Sequence, residues 1–89
     1  RNSHHMKEVI TTEGGHKIHH LVLAEEVSFF NKANVMKSLD TIPINSKVII
    51  DCSRSKSIAY DVVELIKNYE HSAKAKNITV EKIDFIEPA

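Results

Sequence analysis

Only two glycines occur in the 89 residues, and they are adjacent, Gly14 and Gly15. They separate KEVITT from HKIHHLVLA, two runs rich in β-branched and apolar residues, and a glycine pair supplies the positive φ that a tight turn requires. The spacing predicts a β-hairpin at the start of the fold. With both glycines placed there, the chain has none left for a glycine-rich phosphate loop or a G-x-S-x-G nucleophile elbow.

Beyond the hairpin the periodicity changes. In VSFFNKANVMKSLDTI, Phe30, Ala33, Met36 (or Val35) and Leu39 recur near helical spacing, with Ser28 or Asn31 as the cap. Pro43, Asn45 and Ser46 close this first helix with a turn. KVIID is a short apolar run suited to a parallel strand covered on both faces, and it reads as the centre of the sheet. After the serine-rich loop, Val62, Leu65, Ile66, Tyr69 and Ala73 form the apolar stripe of a second helix, with Asp61 and Glu64 as a D-x-x-E capping box. ITVEKIDF then alternates as a last strand. The order hairpin, helix, strand, helix, strand implies a single α/β domain over residues 7–89. Its mixed β-sheet carries both crossover helices on one face and leaves the other thinly covered.

Composition narrows the function. Hydrophobic residues are 42% and charged residues 27% of the chain, the range of a folded globular domain. Lysine plus arginine and aspartate plus glutamate balance at 12 each, so no overall field draws in nucleic acid or an anionic surface. The single Cys52 makes no internal disulfide, and with no secretory signal the chain reads as cytoplasmic. No apolar run approaches the roughly 20 residues of a membrane-spanning helix. RNSHHM, residues 1–6, reads as a remnant of a purification tag and cloning site, which leaves open that the remainder is a piece of a longer protein.

Each candidate for chemistry has a plain structural reading beside it. HKIHH places His16 and His20 on one strand face, but no Cys, Asp or Glu follows at a zinc-ligand spacing, so solvent-facing or edge-strand histidines are expected and no metal. Cys52 has no cation beside it to depress its pKa, and reads as a small apolar filler. One of Phe29 and Phe30 is expected in the core and the other exposed. The loop Ser53, Arg54, Ser55, Lys56, Ser57 leads to Tyr60 and Asp61 at a helix start, where α/β sheets bind ligands and exposed amides favour anions. It is either a solvated loop or a recognition surface. No acid, base and nucleophile set can be assembled, so no enzyme activity and no cofactor are expected.

VIIDCSRSKSIAYDVVELI resembles the central strand, loop and second helix of a STAS domain, the module shared by bacterial anti-sigma-factor antagonists and the cytoplasmic tails of SulP-type anion transporters. The family pattern is an apolar strand, Asp-x-Ser, a short loop, Ile-Asp-Ser-Ser/Thr-Gly and an amphipathic helix; Asp51, Ser53 and Ile58 match. Leu23 to Pro43 is similar to the transporter branch, where Leu-Ala-Glu-Glu-Val-Ser-Phe-Leu-Asn-Lys-Ala leads into the first helix. The resemblance covers about Lys17 to Phe85. Where antagonists carry Asp-Ser-Ser-Gly, this chain has Ala59, Tyr60, Asp61 and Val62, so the phosphoacceptor serine is missing. The later helix and strand usual in the family are also missing, as in a minimal, C-terminally short member or a trimmed one.

The resemblance implies a non-catalytic regulatory or protein-interaction domain of a SulP-type transporter for sulfate, bicarbonate or a related anion, on the cytoplasmic face of the bacterial inner membrane. The implied partners are the membrane domain of the same transporter and a cytosolic protein, through Ser53, Arg54, Ser55, Lys56, Ser57, Tyr60 and Asp61. Two other readings stay open: a free-standing antagonist-like STAS protein, and a module that senses a nucleotide or anion near Arg54 and Lys56.

Overall fold

A computed structural model of the chain describes residues 6–86. The tag reading therefore falls outside the described residues except at Met6, as does the chain end from residue 87.

The glycine pair turns the chain as its chemistry demands. Gly14 and Gly15 have φ of 60° and 83°, and strands β1 (Lys7–Glu13) and β2 (His16–Val22) pair antiparallel from Lys7 with Val22 to Glu13 with His16. A short strap, β3 (Glu26–Val27), leads through a 3-10 turn at residues 29–31 into α1 (Lys32–Asp40). β4 (Lys47–Asp51), a two-residue β5 (Ser57–Ile58), α2 (Tyr60–Ala73) and β6 (Thr79–Ile83) follow. The main sheet has the order β1-β2-β4-β6, with β4 parallel to both neighbours, and β3 pairs with β5 in a separate two-stranded sheet. This is the expected α/β fold: a mixed four-stranded sheet with two helices packed on one face.

Register and burial together identify that face. His19, Val48 and Val80 are lateral neighbours, as are Leu21 and Ile50; all except half-buried Val80 are buried, and they meet Val35 and Leu39 of α1 and Val62, Ile66, Tyr69 and Ala73 of α2. The opposite face carries Val9, Ile18, His20, Val22, Ile49 and Ile83, none of them buried. KVIID is thus not buried on both faces: Val48 and Ile50 are buried on the helical side while Ile49, facing the other way, is only half-buried. Its uniform hydrophobicity reflects a central place in the sheet rather than a second helical layer. The Lys47–Glu81 ion pair and the His20–Asp51 hydrogen bond, each 2.9 Å, lie across this open face.

Three further expectations are corrected. Phe30 does not join an apolar stripe on α1: residues 29–31 form a tighter 3-10 turn, the α-helical phase starts only at Lys32, and Val35 and Leu39 face the core while Met36 is exposed. Both Phe29 and Phe30 are exposed, so neither enters the core. Asp61 and Glu64 form no capping box, because Ala59 is the N-cap and Asp61 lies within the first turn; its charge there still favours the helix dipole. Ser28, by contrast, caps the 3-10 turn reciprocally: its hydroxyl accepts from the Phe30 amide at 3.2 Å, and its amide donates to Asn31 Oδ1 at 2.7 Å.

His16 is exposed and His20 lies half-buried on the open face, but His19 differs from expectation. β2 is an interior strand, and His19 is buried on the helical side, its Nδ1 3.2 Å from Glu8 Oε2 while Nε2 has no hydrogen-bond partner. A carboxylate only accepts, so Nδ1 carries the proton of this contact. At the opposite end of the sheet, Asn45 and Asn77 take left-handed backbone at φ of 64° and 55°. Asn77 Nδ2 donates to Asn45 Oδ1 at 2.7 Å, tying the two turns that enter β4 and β6.

Candidate functional site

The serine-rich loop leaves the carboxyl end of β4, where the sheet edge and the start of α2 meet. Asp51 organises its first residues. Its Oδ1 accepts the Ser53 amide at 2.9 Å in a short side-chain turn, and its Oδ2 lies 2.9 Å from His20 Nε2. Hydrogen bonding from Ser53, then from His20, holds the Asp51 carboxyl down at about 2, so it is a fixed anion near neutral pH. Next in the chain, the Cys52 amide donates to Ile83 O at 2.9 Å and its thiol is buried; burial first, then the charges of Asp51 and Asp84, push the thiol up to about 11. It is a packed side chain, not an activated nucleophile.

The second half of the loop is laced to the strap. Ser55 Oγ donates to Ala24 O at 2.6 Å, the Lys56 amide to Glu25 O at 2.7 Å, and the Ala59 amide to Val27 O at 2.7 Å. Lys56 Nζ also reaches Glu25 Oε2 at 3.1 Å. Two segments about 31 positions apart in the chain are thereby joined by backbone and side chain alike. The Ser55 hydroxyl is committed to this lacing and half-buried, whereas Ser53, Arg54, Lys56 and Ser57 are exposed.

α2 begins immediately beyond, with Tyr60 62% exposed and Asp61 also exposed. The turn at residues 29–31 packs against α2, so Phe29 and Phe30, 58% and 89% exposed, join Tyr60 on the same end of the molecule. The two rings of the pair meet edge to face at 6.1 Å. The folded chain therefore brings together all the site residues singled out from the sequence, and adds a rim of aromatic surface. In the sequence the signal for that rim was the Phe-Phe pair itself; only the 3-10 phase shift turns both rings outward.

Lys56 is paired with Glu25, and Asp51, Asp61 and Glu25 surround the loop with negative charge, which leaves Arg54 as the loop cation without an ion-pair partner among the described residues. A cleft of about 350 Å3 lies elsewhere, between the strap and α1, lined by Leu23, Ala24, Val27, Asn31 and Val35 among others. Among the described residues no group of three or more His, Cys, Asp or Glu is placed to hold a metal ion, and no helix is long and apolar enough to cross a membrane. No protein-family model, curated protein or solved structure matches the chain.

Proposed function

We propose that the chain is a non-catalytic STAS-type regulatory domain of a SulP-type anion transporter, held at the cytoplasmic face of a bacterial inner membrane, and that the surface formed by Ser53 to Ser57, Tyr60 and Asp61 binds a protein. One observation carries the reading. The two segments that resemble the family, Leu23 to Pro43 and Val48 to Ile66, close on one another through Ser55, Lys56 and Ala59 and present Phe29, Phe30 and Tyr60 beside the loop. Exposed aromatic side chains on a hydrogen-bonded frame suit a protein partner, since they bury much area at little entropic cost. A nucleotide or free anion is less well served, because Lys56 is already neutralised by Glu25 and carboxylates flank the loop. The partner alters transport only through different affinity for two conformations of the transporter.

The test is the native protein that carries these residues. An antibody against the domain, used on fractionated cells and a denaturing gel, should detect a membrane-fraction band several times the 10.1 kDa of this chain. A soluble band near 10.1 kDa would overturn the transporter reading and favour a free-standing partner-binding protein. Deletion of the domain should then change transport without preventing membrane insertion; unchanged transport would remove the regulatory role.

A further inference from the structure

β1 is an edge strand with an open outer side that neither a proline nor a bulge blunts, although Lys7, Glu8 and Glu13 give it charge. All seven residues are exposed, including Val9 at 46% and Ile10 at 51%. It contains no proline, and its pairing with β2 runs without a bulge from Lys7 to Glu13. Such strands are templates for pairing with another chain.

The turn determines which backbone groups point outward. A two-residue loop closes on a hydrogen-bonded pair, Glu13 with His16, and along an antiparallel ladder bonded and non-bonded pairs alternate. Counting back, Glu13, Thr11, Val9 and Lys7 turn their amides and carbonyls toward β2, while Thr12, Ile10 and Glu8 turn theirs outward.

KEVITTE is complementary to itself about that outward set. Run antiparallel against a second copy with Ile10 opposite Ile10, it places Glu8 opposite Thr12, so every outward group finds a partner. The same register sets Lys7 opposite Glu13 at both ends and Val9 opposite Thr11 between them, in the closely spaced non-bonded positions. The other edge behaves differently: centred on itself, β6 would set Glu81 against Glu81, like charges directly opposed.

We propose that two copies of this chain associate through antiparallel β1–β1 pairing about Ile10, with Lys7 facing Glu13 of the second copy, to double the four-stranded sheet. The two-fold axis stands perpendicular to the sheet, so both helical layers lie on one side of the joined sheet and both open faces on the other. The surface is distinct from the serine-loop end and does not depend on what that end binds.

Light scattering coupled to size exclusion, and sedimentation equilibrium, test this on the chain as it stands. Wild type should approach twice 10.1 kDa at high concentration and fall to 10.1 kDa on dilution. Ile10→Pro removes an outward amide without touching the bonds to β2, and should stay monomeric with an unchanged circular dichroism spectrum. Lys7→Glu and Glu13→Lys should each weaken association about fivefold to tenfold, and the double swap should restore it to within about twofold. A monomer at every concentration would overturn the proposal. So would a dimer indifferent to the charge swap, a readout that holds even if Ile10→Pro fails to fold.

Discussion

Asp51→Ala tests how the loop is held. The substitution removes the acceptor for the Ser53 amide and the partner of His20, each at 2.9 Å, from a side chain that keeps 14% of its surface accessible. A carboxyl lowered from 3.8 to about 2 by folding represents at most roughly 2–3 kcal/mol of stability near neutral pH. Water at the open sheet face screens part of that, which leaves roughly 1–2 kcal/mol. In a domain of this size the melting temperature should fall by roughly 5–12 °C. The chain has no tryptophan, so urea and thermal unfolding are best followed by circular dichroism. A carboxylate with a depressed folded pKa contributes fully above its unfolded pKa and loses its contribution as pH falls through the folded value. The gap between wild type and variant should therefore be constant above about pH 5 and close between about pH 4 and pH 2. The denaturant slope should stay the same, since no surface is newly exposed in the native state. A gap that persists unchanged at pH 2, or no gap at pH 7, would refute the role assigned to the carboxylate.

Three further outcomes are expected. Ile66→Ala, at a fully buried position of α2 facing the sheet, should cost about 2–5 kcal/mol in urea unfolding, with the exposed Met36→Ala as a near-neutral comparison. Phe30→Ser should leave stability within about 0.5 kcal/mol because the ring is 89% exposed, yet weaken capture of a protein partner at the serine-loop end; equal loss in both measurements would place the ring in the fold instead. Cys52 should resist iodoacetamide at pH 8 in the folded protein and react in urea, since the buried thiol stands at about 11; rapid labelling without denaturant would contradict that burial.

The parts of this protein that the sequence determined by itself are those governed by local rules. Gly14 and Gly15 demand positive φ, so the hairpin and its register follow from the turn. The stripe through Val62, Ile66, Tyr69 and Ala73 has helical spacing whatever lies against it, and two crossovers in the same direction put both helices on one face. Residues with equivalent local preferences were decided only by the tertiary structure. Met36 and Val35 were alternatives for the buried stripe that Phe30 was expected to share, until the 3-10 turn shifted the helical phase to bury Val35 and turn Phe30 out. Asp61 looked like a cap until lacing to the strap set Ala59 as the helix start.

The loop's frame had no local signal at all. Ser55 and Ala24, like His20 and Asp51, are 31 positions apart, and nothing near either member of a pair encodes its partner. A polar loop after a strand was legible because hydroxyl and charged side chains there satisfy themselves with water. What the same side chains bond once folded depends on which strand lies beside them, and that is fixed by the whole sheet.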